Sequence, residues 1–416
     1  MQVQNKYDII IIGGGIAGLY SAYKILKMAP ETKLLVLERH KKQWLGGRMS
    51  NEMFQGTQVV TGAGVGRKEK DHLLIQLLRE LKIPYNEFQL SHNYAQTISP
   101  PCDVKNVFNI LKKQFKENPA PGKTFKEFAL PILGKKLYKN FTVCSEYTDY
   151  ENEDAYDTFY NYGFEDNYNS WTALHIPWKE LVETIAKKIG VKNIRVSSDV
   201  IDIENAAPCN FVVYTDNGAS YSCKKVIMAT TITSVKNLIV GADYKNSIYQ
   251  QIHGQTFLRL YGKFTKASAE IMKQNVSGIT IVPGPLKKII PMDQKKGVYM
   301  IAYSDNEDAK VLKDRLKNTP KNREYFCELL EESLAIPKGS LDLIAIKDYY
   351  WPIGTHYYDP LRAPFKNRRE FIKEAQNPMP GMLIVGEMIS MNQGWTEGAL
   401  ESVEAVVTKK WINGNC

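Results

Sequence analysis

Residues Tyr7 to Glu38 read YDIIIIGGGIAGLYSAYKILKMAPETKLLVLE, and the order of their parts decides the fold. The apolar run Ile9–Ile12 predicts a buried parallel strand. Gly13, Gly15 and Gly18 form a GxGxxG turn into an alanine- and leucine-bearing helix, and Leu34–Leu37 predicts a second buried strand ending on Glu38. Gly13 permits the tight turn, Gly15 lets backbone N–H groups approach a pyrophosphate, and Gly18 lets helix and strand pack closely. The helix N-terminus adds partial positive charge for the phosphates. Glu38, followed by Arg39, stands about 20 residues past the last glycine, where an acid accepts hydrogen bonds from ribose hydroxyls. The stretch is a complete dinucleotide-binding βαβ unit.

A few residues on, Leu45-Gly46-Gly47-Arg48-Met49 supplies two more glycines and a guanidinium, a combination suited to wrapping a pyrophosphate. Plain NAD dehydrogenases do not usually carry this second clamp, whereas many FAD enzymes do. Near the C-terminus, Met382–Val385 predicts a short strand running into Gly386-Glu387. After a loop, Gly394-Trp395-Thr396-Glu397-Gly398-Ala399 leads into a helix over Ala399–Val407. With these motifs in this order, the chain resembles the flavin-containing amine oxidase family, which includes monoamine, polyamine and L-amino-acid oxidases. The resemblance is spread over most of the chain and is densest at its two ends. Trp351-Pro352-Ile353-Gly354, with Tyr357, Tyr358 and Leu361-Arg362-Ala363-Pro364, is similar to a segment of plant polyamine oxidases.

The bulk properties fit an enzyme of this kind. A chain of 416 residues is too long for one ordinary core, so two domains are expected, and 44 % hydrophobic with 24 % charged residues is ordinary globular composition. No apolar run reaches the ~18–20 residues of a membrane span. The N-terminus enters the first strand directly, without room for a signal peptide, so a cytoplasmic location is expected. The six cysteines have no CxxC or metal-ligand spacing and read as free thiols, with no metal site. The formal net charge of +9 comes from scattered lysines, which argues for general basicity rather than nucleic-acid binding. A homo-oligomer is compatible with this composition.

The expected fold class is α/β: a discontinuous Rossmann-like FAD-binding domain from residues 1–70, 190–255 and 375–416, and an α+β substrate-binding domain of amine-oxidase type from 71–189 and 256–374. Strands are expected at Ile194–Val196, Val200–Ile203 and Phe211–Tyr214. An Asn217-Gly218 turn then leads into a strand over Tyr221–Met228. Helical spacing is clear at Leu73–Leu81, Trp178–Ile189 and Arg323–Leu334. Further strands are expected within Phe257–Lys263 and Gly297–Tyr303.

The resemblance also implies roles for residues. Val200 matches the family's adenine contact, Glu387 a ribityl-hydroxyl ligand, and Thr396 a backbone donor to the flavin's pyrimidine edge. Trp395 matches an aromatic ring facing the isoalloxazine, and His356, with Tyr357 adjacent, its aromatic partner. Thr355 falls where monoamine oxidases attach FAD through cysteine, so non-covalent FAD is expected. Many family members hold a water at flavin N5 with a lysine. No lysine stands at that point of the strand here, where Gln255 or Arg259 is nearest, which leaves oxygen or another electron acceptor open. The family's Gly-Gly before the middle FAD segment is replaced by His175-Ile176-Pro177-Trp178. Removing hydride from the carbon next to an uncharged nitrogen calls for an apolar, aromatic pocket rather than a strong base, so the absence of a hydrolase-like triad is no objection.

Two features divide the substrate class. The segment Glu146–Asp166 is acidic and rich in tyrosine; it reads either as a solvated loop and helix face or as an entrance attracting cationic, polyamine-like substrates. Gly64-Val65-Gly66-Arg67 resembles the place where L-amino-acid oxidases present an arginine to the substrate carboxylate, although Arg67 also runs into a charged helix start. An amine substrate leads, an amino-acid oxidase or monooxygenase is the enzymatic alternative, and a catalytically lapsed flavin-binding protein is the non-enzymatic one.

Overall fold

A computed structural model describes residues 6–207, 209–239 and 248–414. Strand β1 (Lys6–Ile12), helix α1 (Ile16–Met28) and strand β2 (Leu34–Leu37) form the βαβ unit expected from the opening motif. β1 and β2 run parallel with Ile9–Ile12 opposite Leu34–Leu37, and all eight side chains are buried. Unbroken apolar runs of this kind belong to parallel strands covered on both faces. On the far side of β1 lies the strand Ser220–Met228. One edge of it pairs first with its hairpin partner Asn210–Thr215 and then with Met382–Ile384. This last pairing brings the C-terminal Gly386-Glu387 beside the glycine loop. The hairpin turns at Asn217-Gly218 as expected, with Gly218 at φ +82°. Helices Trp178–Ile189 and Thr396–Val406 pack on α1.

A second, six-stranded sheet is built around the strand Ile252–Phe264, flanked antiparallel by Leu343–Tyr358 and Val298–Asp305. Ile252–Phe264 runs unbroken through residue 255, where the sequence reading sets a domain boundary. The long strand Leu343–Tyr358 carries the Trp351-Pro-Ile-Gly motif and ends beside Glu387, so this sheet reaches the nucleotide-binding unit directly. The other helices expected from spacing fall at His72–Glu80 and Pro320–Leu334.

The acidic, tyrosine-rich segment is largely packed inside, with Tyr156, Tyr160 and Glu165 exposed, and Asp149, Glu153 and Asp157 line a cavity with His356 and Tyr357. With helices Val104–Glu117 and Phe125–Cys144 it builds a separate aromatic core around Phe108, Phe125, Phe141, Tyr150 and Phe164. Glu146, Glu153, Asp154 and Asp157 are all buried. Their partners are internal: Arg368 pairs with Asp154 and Asp157, Lys288 with Glu146, and Thr158 donates to Glu153. Cys102, Cys144, Cys223 and Cys327 are free thiols, but Cys209 is disulfide-bonded, which corrects the expectation that all six would be free. Cys416 lies outside the described residues. Among the described residues no helix is long and apolar enough to cross a membrane.

Candidate active site

The glycine loop leaves an open cradle at the start of α1. Gly13, at φ +105°, sits so close to the neighbouring strand that a Cβ would lie 2.4 Å from the Ala229 carbonyl oxygen. A Cβ on Gly18 would lie 2.0 Å from the Gly13 carbonyl oxygen, so this residue is the helix–strand contact. Gly15 differs: a Cβ there would meet nothing within 4 Å. It caps α1 without a side-chain hydrogen bond, which leaves first-turn N–H groups for a ligand. The Gly46-Gly47 turn closes over the cradle. Gly46 N–H donates to the Gly14 carbonyl at 2.8 Å, and Gly46 forms a parallel bridge with Gly15. The buried Glu38 carboxylate ties the loop from below, accepting from Gly14 N–H and His40 N–H at 2.7 Å each, with lone pairs left for hydroxyl donors. Arg39 is exposed and its Nε donates to His40. Val200 is buried at the head of its strand in the core shared with Ile10 and Ile12. An uncapped helix start, two glycine turns and a buried acid fit the adenine-ribose-diphosphate half of a dinucleotide.

Glu387 joins this cradle to the second sheet. Gly386, at φ +134°, is anchored through its N–H to Ser402 Oγ at 2.8 Å, turning Glu387 inward. Its Oε1 accepts from Arg48 Nη1 at 2.7 Å and faces His356 Nδ1 at 2.6 Å, and its Oε2 accepts from Gly394 N–H at 3.1 Å. Burial alone would raise this carboxyl, but His356, Arg48 and the Gly394 amide outweigh it and hold the group well below the usual carboxylate range. Arg48 also donates to the Gly354 carbonyl at 2.6 Å, so its guanidinium staples the Gly46-Gly47 turn to both Glu387 and the long strand.

His356 is not half of an aromatic pair with Trp395. Its Nε2 accepts from Ile232 N–H at 3.3 Å, which places the ring hydrogen on Nδ1 toward Glu387 and buries the imidazole between the two. The reason is strand alternation: pairing with Ile252–Phe264 sets Thr355 opposite Gln255 and Tyr357 opposite His253 on one face, leaving His356 opposite Gly254 on the other. Tyr357 stacks on His253 with ring centroids 5.1 Å apart. Gln255 is buried, donates to the Asp149 carbonyl and lies 3.5 Å from Thr355 Oγ1, so it is a strut between elements.

Trp395 and Arg67, named separately from sequence, do come together. The Arg67 guanidinium lies 3.8 Å from the Trp395 ring centroid, and Trp171 meets the same ring edge-on at 6.3 Å. Arg67 is already engaged by Asp71 at 2.7 Å and Asp166 at 3.4 Å. With two carboxylates on a buried guanidinium, it orients Trp395 rather than awaiting an anion. Trp395 is also the N-cap of the helix Thr396–Val406, which starts without a side-chain cap, so the Thr396 N–H belongs to a second open helix start.

Sequence reasoning named Trp351, Arg259 and Trp178 but missed that they clamp the Thr61–Gly64 loop. Trp351 Nε1 donates to the Thr61 carbonyl at 2.7 Å, Arg259 Nε to Gly62 at 2.8 Å and Trp178 Nε1 to Gly64 at 3.3 Å. Trp178 thus occupies a structural post at the site of the missing Gly-Gly. Beside this loop Phe257, Tyr147 and Tyr303 form an aromatic cluster, with the Arg259 guanidinium 4.0 Å and the Lys288 ammonium 4.7 Å from the Tyr303 ring. The only linear signal was a charge inside the apolar run Phe257–Tyr261. Glu397 was also missed: its carboxylate caps the helix His72–Glu80, accepting from Leu73 and Leu74 N–H at 2.8 and 2.9 Å.

Comparison with known proteins agrees with this geometry. Residues 11–81 match the model of an NAD(P)-binding Rossmann-like domain, and residues 109–407 match that of the flavin-containing amine oxidoreductases. An uncharacterized protein of Acanthamoeba polyphaga mimivirus is 21 % identical, over 97 % of this chain and 94 % of its own. Among solved structures, putrescine oxidase bound to putrescine superposes with a TM-score of 0.74 at 13 % identity, covering 97 % of this chain and 98 % of the other. Cyclohexylamine oxidase from Brevibacterium oxydans gives 0.74 at 15 % identity, covering 96 % and 98 %.

Proposed function

The chain belongs to the flavin-containing amine oxidoreductase family, and from that premise we propose that it oxidises a primary or secondary amine with FAD held non-covalently. The observation that carries this reading is the chain of contacts that ties the cradle to the Gly46-Gly47-Arg48 turn, that turn to Glu387, and Glu387 to Gly394 beside Trp395. FAD held there would supply the two-electron acceptor for a hydride from the carbon next to nitrogen.

The chain's own residues bind, orient and tune. Gly15 and the open start of α1 receive the diphosphate, Glu38 the ribose and Glu387 a ribityl hydroxyl, with Arg48 fixing the carboxylate. The Thr396 N–H meets the pyrimidine edge. Thr355 offers no thiol for a covalent link. Trp395, braced by Arg67 and Trp171, presents an aromatic wall, and Phe257, Tyr147, Tyr303 and Trp351 line the other side. Arg259 and Lys288 add positive charge there, which favours the uncharged form of a nearby amine, the form that can give up hydride. Oxygen or another acceptor would take the electrons, without the lysine that many relatives carry.

The polyamine-like reading rests on the acidic segment, whose carboxylates are held by internal partners. Asp149 shows how: burial first, then repulsion from Asp305, pushes its carboxyl up to about 7, against the hydrogen bond it accepts from Tyr162. The amino-acid reading, drawn from Arg67 in the sequence, passes to Arg259 because Asp71 and Asp166 already hold Arg67. An anaerobic panel of purified protein with spermidine, spermine, monoamines and amino acids tests the activity: bleaching of the flavin by any class supports it, and no bleaching by any member overturns it in favour of a lapsed enzyme. Trp395→Ala is expected to retain FAD yet slow flavin reduction about 10-fold or more, within the 1–3 kcal/mol that one positioning contact supplies. Unchanged stopped-flow rates would remove Trp395 from the site.

A further inference from the structure

We propose that Arg259 is the receptor for a substrate carboxylate, so that the amine oxidised by this chain is an amino acid or another amine bearing a carboxylate. The proposal rests on the reading of the activity above and narrows its substrate. Arg259 is 5 % exposed, in the middle of the strand Ile252–Phe264. Its Nε donates to the Gly62 carbonyl at 2.8 Å and its Nη2 to the Tyr303 hydroxyl at 2.9 Å; its Nη1 lies 3.7 Å from the Met300 thioether, and the Tyr261 hydroxyl is a further hydrogen-bond partner of the guanidinium. No carboxylate lies within ion-pair distance of it among the described residues, whereas Arg48, Arg67, Arg362 and Arg368 all have one.

A carbonyl, a phenol and a thioether satisfy hydrogen bonds but neutralise nothing, and an uncompensated buried charge is expensive. The surroundings deepen the deficit. Glu146 already faces Lys288 at 2.7 Å and His92 at 2.7 Å. Lys288 itself stands 3.5 Å from the Tyr147 ring and 4.7 Å from that of Tyr303. The cluster of Arg259, Lys288 and Glu146 therefore carries net positive charge inside aromatic walls. The phosphates of a bound dinucleotide are assigned to the two glycine turns, so the missing anion must come with another ligand.

A carboxylate fits the groups that remain. The planar guanidinium carries the forked donors that a carboxylate matches. Tyr303 accepts from Nη2 and also shares a hydrogen bond with Tyr147. Gly64 lets the backbone approach the guanidinium closely, since a Cβ there would lie 2.9 Å from Nη2. Tyr147, Tyr303 and Trp351 are half-buried, so the cluster opens at their edges. A polyamine would instead bring a second cation against an unpaired guanidinium.

Calorimetric titration of the flavin-loaded protein with benzoate, and separately with benzylamine, tests the assignment. Benzoate should bind the wild type, bind Arg259→Met about 100-fold more weakly, and bind Arg259→Lys with intermediate affinity because the charge survives without the fork. Absence of benzoate binding by the wild type, or equal affinity in an Arg259→Met protein with wild-type flavin content, would overturn it. The anaerobic pair phenylalanine and phenethylamine adds a second arm: preferential bleaching by the amino acid supports the proposal, and preferential bleaching by the amine overturns it. Failure of both compounds to bleach the flavin counts against the amine-oxidising activity itself, and the benzoate titration still decides the role of Arg259.

Discussion

Replacing Gly18 by alanine is expected to lower FAD affinity on the order of 1,000-fold, about 4 kcal/mol, and to destabilise the apoprotein as well. The added Cβ would lie 2.0 Å from the Gly13 carbonyl oxygen and 3.2 Å from the Ala229 Cβ. Neither neighbour can yield easily. Both are held by backbone: Gly13 N–H donates to the Leu37 carbonyl and Ala229 N–H to that of Ile12. α1 would have to lift from the sheet, carrying the start of the phosphate cradle with it. Gly15→Ala is the informative control. Gly15 has φ −72° and open space at its Cβ, so that variant should keep the apoprotein melting temperature and lose affinity for FAD alone. Flavin absorption after gel filtration, with thermal unfolding of both apoproteins, separates the two effects. A Gly18→Ala protein that remained fully yellow with an unchanged melting temperature would contradict the packing argument.

The contrast between these two glycines shows what could be read in the chain. Close approach and open approach are both written as G, but their spacing in GxGxxG assigns each a place, because turn, ligand and helix contact follow one another along a single continuous segment. The same holds for Leu45–Met49 and for Gly386-Glu387, whose neighbours in space are largely set by a strand ending and a helix beginning. The βαβ unit, the hairpin at Asn217-Gly218 and the helices around Trp178 and Leu330 were legible for this reason.

The site failed to be legible wherever a side chain's direction depended on a distant strand. On Leu343–Tyr358 a step of one residue exchanges faces, so counting from Trp351 toward a family pattern selected His356, while pairing with Ile252–Phe264 turns that ring to Glu387 and Ile232. Arg67 and Arg259 illustrate the limit for charge. Both are arginines beside glycine-containing loops, and nothing local says which one is neutralised. Asp166, which closes on Arg67, is 99 residues away, and the Gly62 carbonyl that holds Arg259 is 197 away. Only the assembled fold reveals that Arg67 is paired with two carboxylates and that Arg259, among the described residues, has none within ion-pair distance.

Glu387 is where these long-range pairings meet, and Glu387→Ala should cost about 3–5 kcal/mol of stability at neutral pH, the usual penalty for breaking a buried ion pair by removing one partner. Arg48 would keep only the Gly354 carbonyl, the Gly394 N–H would lose its acceptor, and His356 Nδ1–H would be buried without one. FAD retention should fall with it, since the turn that Arg48 staples borders the cradle. Glu387→Gln, which preserves an acceptor but not the charge, should fall between the wild type and alanine. The pH dependence identifies the charge as the cause. The folded carboxyl is held below its ordinary range, so its contribution is complete above the unfolded value of ~4.3 and is lost as pH falls toward the folded value. Urea unfolding of apoprotein at neutral pH and in steps below pH ~4.3 should therefore show the gap between wild type and Glu387→Ala narrowing with acid. A gap that stayed constant across that range would mean the loss arises from packing, and the ionised Glu387 would no longer be what joins the nucleotide cradle to the second sheet.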